Sequence, residues 1–291
     1  MSLRSVKEYF TPDNAEEVLE LLERYGEGVL IVAGGSFVRG LDARDLLGDV
    51  EVMVDLRRLG LNKISSDSGG LSMDAMVTYA QLQQHEAIEN QAVWGAIKDA
   101  LTYPPLQIRN VATVGGNIAA ACPYFDMPVA ALALDGLVLA LGPGGERTIE
   151  LETFFAGMFE NTLEPNEFVT GLRMPAHPAR SASAFIKLET NVNDLAIVNV
   201  GVRVTLDDAN RCTEARIFIG GGGALTPGRA AAAESLLQGE EISEPLLSRA
   251  GEAVQSDLQL MADHRASAAY RMAMAKTLTT RALRQAVARL N

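Results

Sequence analysis

Residues 110–128, NVATVGGNIAAACPYFDMP, place two adjacent glycines, an asparagine and a run of very small residues ahead of a lone aspartate. A second glycine pair lies upstream in LIVAGGSFVRG, residues 30–40. Glycine admits positive φ and lets a ligand approach the bare backbone. Successive N–H groups in such a turn form a concave nest for anions. Each pair has a strand-like lead-in and a neighbouring hydroxyl, Ser36 in one case and Thr113 in the other. Plain turns and a shared phosphate-binding cradle both remain open from this pattern alone.

The totals restrict what such a cradle has to do. A chain of 291 residues suits one large or two ordinary domains, and 48% hydrophobic with 21% charged residues supports a buried core rather than disorder. The formal net charge of −12 argues against nucleic acid or an anionic membrane as partner. It also means that a phosphate would have to be drawn in by local dipoles. Two cysteines, Cys122 and Cys212, cannot make a disulfide framework or ligate an iron–sulfur cluster, which normally takes four thiolates. No His/Cys spacing offers a zinc site, so redox chemistry would need an organic cofactor. The N-terminus lacks the apolar stretch of a secretory signal, and the apolar region 129–141 is broken by Asp135 and too short for a bilayer. A cytoplasmic protein is expected.

Along the chain, Asp13 with Glu16 reads as a capping box, followed by helical spacing of Ala15, Val18, Leu19 and Leu22. GVLIVAGG and EVMVDL read as buried strands, giving an α/β layer. A helical pattern is expected from about 70 to 107, interrupted at Pro104 and Pro105. GLVLALG and ERTIEL read as strands, and EPNE and VTGLRMP as loop. Pro175 and Pro178 mark the expected domain boundary. Beyond it, Val200, Val202, Val204 and Leu206 alternate with polar residues, turn at DDAN and return in ARIFIGG, a β-hairpin. The end, from ALTPGRAAAAESLLQG onward, is expected to be helical. Gly220 to Gly223 lack a G-x-G-x-x-G helix and read as a turn or a close-packing site.

Three blocks resemble the FAD-binding medium subunit of the molybdenum hydroxylases, the family of xanthine dehydrogenase and aerobic carbon monoxide dehydrogenase. They are AGGSF (33–37), IRNVATVGGNIAAACPYFDMPVAALALDG (108–136) and DHRASAAYR (263–271). The resemblance implies an α+β fold: a two-lobed FAD-binding domain of the vanillyl-alcohol-oxidase/PCMH type over 1–177, with lobes of about 1–57 and 58–176. A C-terminal domain of antiparallel sheet plus helices would follow over 178–291. It further implies that Ile31, Val32, Ala33, Gly34, Gly35, Ser36 and Phe37 line one diphosphate loop, and that Thr113, Gly115, Gly116 and Asn117 form the other. Asp126 would hold the nucleotide, Tyr103 would stand near the isoalloxazine, and Lys187, with Asp194 and Ala196, near the flavin N1–C2 side. Asp263, Arg265, Tyr270 and Arg271 are better read as a lock on a helix or loop.

The resemblance carries a role as well. Substrate would be hydroxylated at a molybdenum cofactor on a large subunit, and electrons would pass through two [2Fe–2S] clusters on a small subunit. FAD on this chain would pass them to an external acceptor such as NAD⁺ or a quinone, within a dimer of heterotrimers. Thr190 and Asn191 stand where many relatives carry arginine, and Phe37 where a polar residue is common. A stand-alone FAD oxidoreductase and a scaffold subunit without flavin are the alternatives.

Overall fold

The computed structural model describes residues 5–290, so the first four residues of the N-terminal stretch lie outside it. Three larger sheets and one two-stranded ribbon, Phe155–Gly157 with Glu160–Asn161, organise the described residues. The first is parallel, with Val52–Asp55 between Glu8–Phe10 and Val29–Val32. Helix Ala15–Tyr25 covers it, burying Val18 and Leu22 against Val52 and Val54. The cap of this helix is Asn14, whose side chain accepts from the Glu17 amide. That moves the expected capping box one residue along: Glu17 Oε2 reaches back to the Asp13 amide, not to a cap at Asp13 from Glu16.

The second sheet is antiparallel, in the order Ile64–Asp67, Gly70–Asp74, Phe168–Pro175, Leu137–Gly142, Gly145–Glu150. Two expectations fail here. Gly70–Asp74 is a strand, and the helices begin only at Tyr79–Gln83. VTGLRMP is the middle strand of the sheet, not a loop. Gly171, which reads as a breaker, is required there because a Cβ would stand 2.7 Å from the Met73 carbonyl oxygen, beside the register shift between Val169 and Gly171. Helix Val114–Ala119 packs on this sheet, and the short helices Gly95–Ala100 and Met127–Leu132 share its core while contacting the third sheet.

The third sheet is antiparallel, in the order Ser181–Leu188, Val198–Leu206, Cys212–Gly220, Gly228–Arg229. Helices Ala231–Leu237, Glu244–Ala253 and Ala268–Ala288 lie on one face, where Val200, Val202 and Val204 meet Ala275, Leu278 and Ala282. The expected helix around ALTPGRAAAAESLLQG begins only at Ala231, because Gly228–Arg229 pairs with Phe218 and Ile219 first. The other face of the sheet is buried too. Asn199, Gly201, Arg203 and Thr205 alternate with the valines; the first three meet the preceding domain, and the Thr205 hydroxyl is buried against Ser181 and Arg203. Asp99 reinforces that junction, taking Arg289, Gln285 and the Phe185 amide on its two oxygens.

Candidate cofactor site

Both glycine turns open onto one cleft of about 610 Å³. The first turn leaves strand Val29–Val32 at the C-terminal edge of the parallel sheet, where Gly35 takes φ 64°. The second runs from Thr113 into helix Val114–Ala119. The turns touch: a Cβ on Gly34 would collide with the Val111 carbonyl oxygen and stand 3.3 Å from Thr113 Cγ2. A Cβ on Gly115 would stand 2.5 Å from that of Ala75. Two of the four glycines are therefore explained by backbone packing, before any ligand is considered.

The turns are not equivalent, which corrects the picture of two matching nests. The amides of Gly34, Gly35, Ser36 and Phe37 donate to no acceptor among the described residues. In the second turn Gly115 N donates to Ala75 O at 2.9 Å, and Asn117 N to Thr113 O at 3.0 Å. Gly116 N donates to Thr113 Oγ1 at 3.2 Å. The second turn instead contributes the Asn117 side chain, whose buried Oδ1 has no partner.

Ile31, Val32, Ala33 and Phe37 lie on the same wall. Phe37 meets Phe125 edge-on at 4.9 Å between centroids and stacks on Phe159 at 6.0 Å. No Lys, Arg, His, Tyr, Cys or Asp is found among the described wall residues, and the acids are Glu27 and Glu167. Glu167 is held by Arg147 at 2.6 and 2.7 Å, which keeps its carboxyl below the usual range. An anion in this cleft meets backbone dipoles rather than side-chain cations.

The structure does not place Tyr103, Asp126 and Lys187 on that wall. They form a cluster of their own, one residue along the chain from Phe125. The Lys187 side chain is almost wholly buried, and its ammonium is surrounded by Asp126 Oδ2 at 3.0 Å, Asp194 O at 2.8 Å and Glu189 Oε2 at 3.0 Å. It lies 4.8 Å from the Tyr103 ring centroid, and its amide donates to the Tyr103 hydroxyl. Asp126, expected to accept from a nucleotide, has both oxygens taken within the protein: Lys187 on one and Asn199 on the other. Burial pushes the Asp126 carboxyl up, against the downward pull of Lys187 and Asn199. Asn199 has no signature in the sequence; only its place in register beside Lys187 reveals it.

The DHRASAAYR block is a lock of the kind expected, with one exception. Burial tends to raise the Asp263 carboxyl, but the amides of Arg265 and Ala266 together with Arg271 bring it down to about 2. Arg265 holds the carbonyls of Leu195 and Ala196 and lies over the Tyr124 ring. Tyr270 is 45% exposed and takes no part. The four glycines 220–223 are close-packing sites: a Cβ on Gly222 would stand 2.6 Å from Tyr124 and 2.8 Å from Arg271.

A two-turn cleft beside a parallel sheet, in a domain backed by a four-stranded sheet with a helical layer, is the architecture of a flavoprotein subunit. Residues 4–177 match the FAD-binding domain of molybdopterin dehydrogenases, and residues 183–286 the C-terminal domain of the CO dehydrogenase flavoprotein. The chain therefore belongs to the FAD-binding medium subunits of the molybdenum hydroxylase family. It is 31% identical over 285 residues to the alpha subunit of the 6-hydroxypseudooxynicotine dehydrogenase complex of Paenarthrobacter nicotinovorans, covering 97% of this chain and 95% of that one. The carbon monoxide dehydrogenase medium chain of Afipia carboxidovorans is 29% identical over 288 residues, 97% of each. Among solved structures, carbon monoxide dehydrogenase of Hydrogenophaga pseudoflava lacking the Mo-pyranopterin moiety superposes with a TM-score of 0.91 at 28% identity, over 98% of each chain.

Among the described residues no helix is long and apolar enough to cross a membrane.

Proposed function

We propose that this chain is the FAD-carrying electron-transfer subunit of a molybdenum-containing hydroxylase or dehydrogenase. It would take electrons from [2Fe–2S] clusters on a small partner subunit and pass them to an external acceptor. A large subunit would hold the molybdenum cofactor, with the whole a dimer of heterotrimers. The observation that carries this reading is the run of four unbonded amides at residues 34–37, on a cleft wall without a cationic side chain. A backbone N–H to a phosphate oxygen contributes about 1.5–3 kcal/mol. Several such bonds offset the repulsion expected from a chain of net charge −12.

In this reading Gly34, Gly35, Ser36 and Phe37 hold the diphosphate, with Asn117 and Thr113 facing them. Ile31, Val32 and Ala33 carry the strand to the turn, while Gly115 and Gly116 set the spacing of the second turn. When bound, FAD supplies the exchange between single-electron and two-electron carriers. Tyr103, Asp126 and Lys187 orient the Phe125 wall through their mutual bonds. No group on the wall is placed as a substrate base, and this disfavours a stand-alone oxidoreductase. Domains over 1–177 and 178–291 fit the division.

The purified chain titrated with FAD is the test. Flavin absorption retained through desalting, with no substrate turnover by the chain alone, supports the proposal. A chain that releases all added FAD refutes it in favour of the scaffold reading, and turnover without partners refutes the relay role.

A further inference from the structure

Strand Val198–Leu206 turns alternate positions toward the FAD-binding domain, and three of them run along helix Met127–Leu132. Asn199 meets its start, Gly201 its middle and Arg203 its end. At the start, Asn199 Nδ2 donates to Asp126 Oδ1 at 3.0 Å and to the Phe125 carbonyl at 3.1 Å. At the middle, a Cβ on Gly201 would stand 2.5 Å from the Val129 carbonyl oxygen, so the helix lies directly on the strand. At the end, Arg203 Nε donates to the Ala133 carbonyl at 3.2 Å and its Nη2 to Asp135 at 2.7 Å.

Asn199 is fully buried, with Lys187 and Gly220 as its cross-strand neighbours. Lys187 takes the second oxygen of Asp126, so two adjacent strands divide one carboxylate of the other domain between them. Asn199 Oδ1 has no partner among the described residues, although buried polar atoms are nearly always paired. Gly220 leaves it room, since a Cβ there would stand 2.7 Å from that oxygen. An apolar residue would fill the place without an orphaned acceptor. What Asn199 adds is its double donation to Phe125 and Asp126.

We infer that Asn199 is a positioning residue for the FAD cleft. It holds the Phe125 backbone so that the Phe125 ring meets Phe37, and Phe37 ends the turn that carries the free amides. The C-terminal domain thus shapes a cleft whose wall residues all belong to the domain before it. This rests on the FAD reading above.

The test compares Asn199→Ala with Val202→Ala, a buried residue of the same strand on the opposite face. The readouts are FAD affinity, visible circular dichroism of the bound flavin, and Tm. Asn199→Ala is expected to weaken FAD binding about tenfold, as the loss of a hydrogen bond to a charged group does, and to alter the flavin dichroism. Val202→Ala should lower Tm yet leave affinity within about twofold, since it shares no partner with the cleft. Asn199→Asp keeps the side chain's size and replaces donors by acceptors facing Asp126; it is read in the same way should Asn199→Ala not fold. Wild-type affinity and dichroism in the asparagine variants would overturn the inference, as would an equal loss of affinity in Val202→Ala. If the wild-type chain takes up no FAD, the parent reading fails first and this one with it.

Discussion

Replacing Lys187 by methionine keeps most of the side chain's apolar length and removes the charge. The side chain is 3% exposed, and its ammonium is shared by two carboxylates and a carbonyl, with contacts of 2.8–3.0 Å. Breaking a buried pair by removing one partner costs about 3–5 kcal/mol, because the remaining charge stays buried without compensation. Part of that cost depends on pH. Burial already raises the Asp126 carboxyl, and Lys187 is the largest influence opposing the rise. In Lys187→Met the carboxyl moves further up. A group raised in the folded state contributes stability that is complete below its unfolded pKa and is lost as pH rises through its folded one. The variant therefore recovers stability on acidification, while the wild type, with a smaller rise, recovers less. Urea unfolding can be followed by Trp94, the chain's single tryptophan, which is buried. The deficit relative to wild type should be about 3–5 kcal/mol at pH 8. It should shrink by about 1.4 kcal/mol at pH 5 for each unit of added upward shift spanned by that interval. A deficit below about 1 kcal/mol at pH 8, or one identical at both pH values, refutes the buried-pair argument.

Three further variants test the packing. Gly34→Ala should push the two turns apart, since its Cβ meets the Val111 carbonyl, costing about 1–3 kcal/mol and most of the FAD uptake. Gly48→Ala, with nothing near the new methyl, should stay within about 0.5 kcal/mol on the same thermal and flavin-binding assays. Asp99→Asn should loosen the domain junction by about 2–3 kcal/mol, because Arg289, Gln285 and the Phe185 amide all donate to that carboxylate; Trp94 fluorescence and urea midpoints measure it.

Much of this architecture can be read from local pattern, and the failures share a cause. The strands Val29–Val32 and Val52–Asp55 and the hairpin of Val198–Leu206 with Cys212–Gly220 are legible because they are rich in Val and Ile and bounded by turn residues. Gly70–Asp74 is not, because Leu71 and Met73 merge with the helical apolar positions that follow. In the hairpin, polar alternation suggests one face in water. All nine residues of Val198–Leu206 are nevertheless buried, because the polar face meets helix Met127–Leu132. Alternation reports the chemistry of two faces, and here the face bearing Asn199 and Arg203 is polar because it hydrogen-bonds another domain.

The candidate site divides in the same way. Its glycines announce themselves, since few other residues fit where one turn's backbone touches the next. Which amides stay free does not: Gly115 and Gly116 look as available as Gly34 and Gly35 until Ala75 and Thr113 are seen to accept from them. Lys187 and Asp126 are separated by 61 residues, and no local feature says that each neutralises the other. Their pairing exists only after the third sheet docks on helix Met127–Leu132. The cleft is consequently a property of both domains, although its wall is drawn from one. A change at Asn199 therefore acts on the wall through its bond to the Phe125 carbonyl, and one at Arg203 through the far end of helix Met127–Leu132, although neither residue lies on the wall itself.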